Sequence, residues 1–259
     1  MGIIMKSLFF KHLFVTSLIL TSFASYSFDE RMSEALEVVV LDSIPKSTDL
    51  LQGPINTQSS QYIEIEKSFA KQVKSELTRS QRLETTSDDD MDSHANPDVL
   101  NLAQLWAIFG YTTGDFMPIN KVLRSKNPVS KLETEPLLLN QIIVLRAALQ
   151  KMKSFKGKVY RGAHLTATSL ANHQTGAIIN YPGFLSTSTS REASENFVRN
   201  ALLVIHAKKG KSVRNYSQMP QEDEILFDHN SKFKVLKRKK TKIEFIENPI
   251  VDEIELEEI

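Results

Sequence analysis

Phe155-Lys156-Gly157-Lys158-Val159-Tyr160-Arg161 is where the chain changes character. Before it the apolar residues recur with helical spacing; after it they come in short, strand-like runs. Lys158–Arg161, Gly183–Ser188, Ala201–Ala207, Glu224–Phe227, Phe233–Leu236 and Ile243–Ile246 all read as strands, separated by Gly, Asn, Ser or Lys. The last two are expected to form a hairpin across Lys237-Arg238-Lys239-Lys240, a charge run read as a solvated turn. Past Pro249 the acidic residues 249–259 read as a loose tail.

Upstream, Tyr62, Ile65, Phe69, Val73 and Leu77 form the stripe of an amphipathic helix. Residues 85–97 are polar and acidic (Asp88, Asp89, Asp90, Asp92) and read as a mobile loop. Asn96-Pro97 suits a helix start, since proline is favoured at the first helical position. Leu102, Leu105, Trp106 and Phe109 would be that helix's buried face, and Gly110 its close. A further helix is expected from Glu135 to Met152, carrying Leu138, Ile142, Leu145 and Leu149. The fold class is therefore α+β, with a helical part over 28–155 followed by a sheet-rich core over 156–248.

Ahead of these elements Lys6 and Lys11 precede or flank an apolar run, Leu13 to Phe23, with small residues at Ser22-Phe23-Ala24 and Ser25-Tyr26-Ser27. This is the pattern of a secretory signal peptide over 1–24, with cleavage as late as 27. The run is short for a membrane anchor, which needs about 20 residues. Removing Lys6 and Lys11 takes the balance from 32 basic and 31 acidic residues to 30 and 31. That balance does not suit nucleic-acid binding, which relies on a basic excess. There is no cysteine, which excludes thiol catalysis and thiolate metal sites. The histidines His94, His164, His173, His206 and His229 lack the paired helical spacing of zinc ligands, so no metal is expected. His206, on an apolar strand, reads as a core or edge residue.

Three features of the sheet half can carry chemistry. Tyr160-Arg161-Gly162 offers a planar fork of donors for phosphate beside a glycine that admits a ligand close to the backbone. By itself it is commonplace. In Gly183-Phe184-Leu185-Ser186-Thr187-Ser188, the alternation of a strand puts Ser186 and Ser188 on one face and Thr187 on the other. No base is tied to these hydroxyls and the Gly-x-Ser-x-Gly elbow is missing, so they read as positioning groups. In Gln221-Glu222-Asp223-Glu224, a strand beginning there would put Glu222 and Glu224 on one face and Asp223 on the other. Paired carboxylates repel, so such a pair is costly unless it has a task, such as binding a cation or supporting positive charge at a sugar carbon.

Arginine, then aromatic-x-Ser-Thr-Ser, then Glu-x-Glu, in that order, resembles the R-S-E class of bacterial ADP-ribosyltransferase toxins, specifically its arginine-modifying members. The likeness runs over residues 60–248. Tyr111-Thr112 with Ile119-Asn120 and Leu123-Arg124 is similar to the family's helix-loop-helix signature, and Lys209-Gly210 with Ser217 to the approach to its substrate-recognition loop. The resemblance implies a core of two packed, mainly antiparallel sheets around an NAD cleft, with NAD as co-substrate and no metal. It implies Glu224 as the catalytic glutamate, Ser186 holding it, Arg161 on NAD phosphate and the backbone of Gly162 on the nicotinamide amide. Phe197, eleven residues after Ser186, would pack on nicotinamide. Glu222 would orient the acceptor guanidinium, and Tyr216 would touch the target protein. Two positions depart from the pattern. Gly183 stands where the family often has asparagine, and Asn200 where it often has a second arginine, a role carried over only to the neighbouring Arg199. The implied activity is mono-ADP-ribosylation of arginine on a protein of a host cell by a secreted enzyme without stable membrane insertion. NAD glycohydrolase activity and an inactive binding domain are the alternatives.

Overall fold

Strand β4 (Ala201–Ala207) decides the architecture, because it is apolar on both faces and must be covered on both. Ala201, Leu203 and Ile205 point into one core and Leu202 and Val204 into another. The computed structural model describes residues 50–80, 100–217, 219–244 and 249–259. Contacts divide the chain into Met1–Gly53 and Pro54–Ile259. In the first unit only residues 50–53 are described, so the expected signal peptide lies outside the described residues. The following concerns the second.

The helices come first. They are α1 (Ser60–Ser80), α2 (Leu102–Gly110), α3 (Phe116–Leu123), α4 (Pro128–Glu133) and α5 (Pro136–Lys151). Tyr62 and Phe69 of α1 are buried as expected, with Glu66 between them. Glu66 accepts bonds from the Tyr62 hydroxyl (2.6 Å) and from Asn101 Nδ2 (2.8 Å), which satisfies an otherwise costly buried carboxylate. Three readings of α2 need correction. It begins at Leu102, under an Asn101–Gln104 capping box, whereas Asn96-Pro97 and the acidic loop lie outside the described residues. Its buried face is Ala103, Gln104, Ala107 and Ile108, with Leu102 exposed, because Gln104 turns inward to bond Tyr62. Gly110 does not end it, since the chain continues through a π-helical turn (Tyr111–Asp115) straight into α3. Gly110 serves a close approach instead: a Cβ there would collide with the Asp115 carboxylate, which accepts a bond from Gln141 of α5.

The strands are β1 (Gly157–Ala163), β2 (Ile178–Tyr181), β3 (Leu185–Ser188), β4, β5 (Lys211–Ser212), β6 (Glu224–Phe227), β7 (Ser231–Lys242) and β8 (Ile250–Glu258), with short helices α6 (Ala167–Asn172) and α7 (Arg191–Glu195). Pairing runs continuously in the order β2-β7-β8-β4-β1-β3-β6-β5, antiparallel except for β4 with β8. Continuity between β1 and β3 rests on one residue pair, Tyr160 with Ser188. A five-strand half and a three-strand half thus meet at a single point, sharing a core that includes Val159, Leu185, Ile225, Phe227, Phe233 and Ile254.

The C-terminal end of the sheet overturns two expectations. Lys237–Lys240 is no turn: β7 runs straight through it to Lys242, with a bulge between Val235 and Lys237. Ile243 and Glu244 follow β7 without strand pairing of their own, and residues 245–248 lie outside the described residues. Nor is 249–259 a loose tail. It forms β8, between β4 and β7, with Val251, Ile254 and Leu256 fully buried. Its acids meet the lysines of β7: Lys239 reaches Glu253 (2.9 Å), and Arg238 and Lys240 both reach Asp252 (2.9 Å each). The domain therefore extends past 248. His206 sits on β4, half-buried, with Nε2 at 2.7 Å from Glu255.

Candidate active site

A cleft of about 940 Å³ opens between the two halves of the sheet, walled by the π turn and α3 on one side. Arg161, Gly162, Ser186, Phe197, Arg199, Glu222 and Glu224 all line it. Residues 63 positions apart in sequence are thus gathered by strands β1, β3 and β6 around the single pair that joins the halves.

Glu224 opens β6, opposite Ser188 in register, and its residue is 5% exposed. Burial pushes its carboxyl above the usual range, a Ser186 hydrogen bond pulls it back, the Glu222 charge raises it and Arg161 lowers it. Ser186 and Glu224 thus lie close together on the cleft lining. The Arg161 guanidinium donates to the Ser186 carbonyl across the junction. Burial draws its pKa down from the ordinary arginine value. Thr187 points away, donating to the Ile225 carbonyl at 2.7 Å.

Glu222 is not on a strand. It ends a 3-10 turn (Pro220–Glu222), and Asp223 follows in the left-handed region at φ 46, so β6 starts only at Glu224. Both glutamates still face the cleft, while Asp223 turns out to pair with Arg214 at 2.8 Å. Burial alone raises the Glu222 carboxyl.

Gly162 answers to packing as well as to any ligand: a Cβ there would collide with the backbone of Ser194, Phe197 and Val198. Its bareness lets that turn lie on β1 and present Phe197, 59% exposed, at the cleft. Arg199 is also exposed on the lining, while Asn200 is committed to the fold, bonding both the N–H and the carbonyl of Leu165. Gly183 has a steric reason too, because a side chain would strike Asn120 of α3. Asn120 donates to the Tyr111 hydroxyl (2.9 Å), and its buried Oδ1 has no protein donor among the described residues. Tyr216 sits in the loop before Glu222 and is not part of the cleft lining.

The sequence reading missed part of the wall. Tyr181 lines the cleft, its hydroxyl 3.0 Å from His173 Nε2, whose Nδ1 faces the Ser169 carbonyl at 2.6 Å. With Nδ1 donating, Nε2 accepts from Tyr181, and burial keeps the imidazole below its ordinary pKa. Burial also pushes the Tyr181 hydroxyl up to about 12. The local signal was an aromatic residue in Tyr181-Pro182, directly before Gly183. Among the described residues no group of three His, Cys, Asp or Glu could hold a metal.

The sequence profile of the ADP-ribosyltransferase exoenzyme family matches residues 66–258. The chain belongs to this family. Its relatives include the NAD(+)–protein-arginine ADP-ribosyltransferase Tre1 of Serratia proteamaculans, 30% identical over 136 residues, which are 52% of this chain and 29% of the relative. The putative arginine ADP-ribosyltransferase Vis of Vibrio splendidus is 26% identical over 111 residues, 39% of this chain and 45% of the relative. The aligned stretches span less than half the length of these curated relatives. Among solved structures, Vis in complex with agmatine superposes with a TM-score of 0.54 at 18% identity, covering 82% of this chain and 90% of that one. HopU1 of Pseudomonas syringae gives 0.58 at 21% identity, covering 80% and 100%. These likenesses bear on the fold.

Proposed function

We propose that the chain cleaves NAD at the nicotinamide–ribose bond and transfers ADP-ribose to an arginine of a protein. The observation that carries this reading is a buried carboxylate, Glu224, beside Ser186 in the same cleft as Arg161 and a second carboxylate, Glu222. When nicotinamide leaves with the bonding electrons, C1′ of the ribose becomes an oxocarbenium centre, as in glycoside hydrolysis. A fixed carboxylate in a partly desolvated cleft stabilises charge that exists chiefly in the transition state. Arg161 matches a phosphate through its planar donors. Phe197 offers an aromatic face at the cleft mouth.

An acceptor guanidinium is protonated at neutral pH and is no nucleophile until it loses a proton. Glu222, raised by burial, is placed to take that proton as the nitrogen bonds to C1′. In the absence of an acceptor, water attacks the same centre, which accounts for a slower NAD glycohydrolase activity. Tre1 and Vis carry names that specify arginine, in line with this choice of acceptor.

Glu222→Gln is the test. Arginine transfer to a small guanidino compound should fall about a hundredfold, with NAD cleavage far less affected. Full-rate transfer in that variant would remove Glu222 from the mechanism. An inactive binding domain instead requires that Glu224→Ala change no turnover of labelled NAD.

The proposal extends to export and to a target in a host cell, resting on the basic start, apolar run and small-residue exit over 1–27. The secreted protein should begin at Ser25 or Phe28 by N-terminal sequencing. An intact Met1 on the exported chain would sink the signal-peptide reading.

A further inference from the structure

Glu222 has to be held still to choose arginine over water, yet it sits in a loop, not on the sheet. The loop from Val213 to Glu224 is closed at its base by the Val213 N–H donating to the Glu224 carbonyl (3.1 Å). Three further links lie beside that base. The Ser188 hydroxyl, on a residue only 8% exposed, donates to the Glu222 carbonyl at 2.6 Å and accepts from the Ser190 N–H at 2.9 Å. Thr189 N–H donates to the Asp223 carbonyl at 3.3 Å. Asp223 itself adopts the left-handed conformation and pairs with Arg214 of the 3-10 turn Arg214–Tyr216 at 2.8 Å. Aspartate is among the few residues other than glycine that enter that region readily.

We propose that Ser188, Asp223 and Arg214 form a latch that fixes the Glu222 turn over the cleft and thereby sets the share of ADP-ribose passed to arginine instead of water. This rests on the reading of Glu222 given above. Ser188 is a positioning residue, acting through the Glu222 backbone and not on the substrate. The two parts of the latch differ in strength. Removing the Ser188 hydroxyl leaves a carbonyl and an N–H unpaired in a largely buried place. The Arg214–Asp223 pair is well exposed, and water screens it. Since a displacement of about 1 Å at a reacting group can cost on the order of a hundredfold, the effect falls on transfer.

The experiment measures NAD hydrolysis and transfer to a small guanidino acceptor side by side, with amide hydrogen exchange over residues 213–224. Ser188→Ala should lower the transfer-to-hydrolysis ratio about tenfold or more and speed exchange in that loop. Ser188→Thr, which keeps the hydroxyl, should restore both. Asp223→Asn keeps a residue tolerant of the left-handed turn and should lower the ratio only a few-fold. Equal loss of both activities in Ser188→Ala, or an unchanged ratio with unchanged exchange, overturns the latch. Glu222→Gln runs in parallel. If that variant leaves the ratio unaltered, the reading of Glu222 fails, and loop exchange alone then decides the latch.

Discussion

Glu224→Gln should lower NAD cleavage by about two to three orders of magnitude, with or without an acceptor, while NAD still binds. The substitution keeps the shape and a partner for Ser186 but removes the negative charge that faces the oxocarbenium centre. Removing one such electrostatic contact typically costs about 3–4 kcal/mol of transition-state stabilisation. Binding is read separately: NAD at about 100 times its dissociation constant adds roughly 2.7 kcal/mol to stability. For a domain of this size that raises Tm by about 5–10 °C, at roughly 2–4 °C per kcal/mol. Loss of the thermal shift together with turnover would mean that Glu224 serves binding, not chemistry.

The same residue fixes a pH dependence. Catalysis needs Glu224 ionised, and burial raises its pKa, so activity should fall on acidification earlier than for an ordinary glutamate. Stability has the opposite sign. An acid whose folded pKa lies above its unfolded value holds more protons when folded, so stability declines as pH rises through the window between the two. Glu224→Gln should therefore be no less stable than the parent at neutral pH, and its loss of activity cannot be assigned to unfolding. A lower Tm in that variant at neutral pH would contradict this account of the buried carboxylate.

Truncation after Pro249 should abolish folding. Strand β8 lies between β4 and β7, and its buried Val251, Ile254 and Leu256 each contribute about 1.5–3 kcal/mol. Together they rival the whole net stability of a typical domain, about 5–15 kcal/mol. Truncation also removes Glu258, whose carboxylate accepts from the backbone of Lys208 and Lys209 (2.6 Å each). The milder Leu256→Ala should cost about 2–5 kcal/mol by denaturant unfolding. A truncated chain that stays soluble and melts cooperatively would refute the structural role of β8.

That strand shows where sequence reasoning stops. Ile254 and Leu256 alternate with acids, which is a half-buried strand's pattern, yet the acidity of the segment suggested solvent. The basic run Lys237–Lys240 suggested solvent for the same reason. Each run is the other's counterion, and neither reveals this alone, because pairing is a property of two distant segments. The π turn after Gly110 and the face that α2 buries were hidden likewise, since they involve Asp115 with Gln141 and Gln104 with Tyr62. The α+β order and the convergence of Arg161, Ser186 and Glu224 were legible, since their order along the strands survives any detail of packing. The partner of Ser188 was not, because a hydroxyl bonded to a backbone carbonyl 34 residues away has no local signature.

The single Tyr160–Ser188 pair leaves the two sheet halves with freedom to rotate where a full ladder would lock them. One backbone pin removes sliding but little torsion. Beside that pin, the guanidinium of Arg161 spans from β1 to the Ser186 carbonyl of β3 as a second tie, and the shared core beneath is the third. The proposed phosphate-binding arginine thus also ties the two halves together. A substrate phosphate on that guanidinium would therefore sit where the two halves meet.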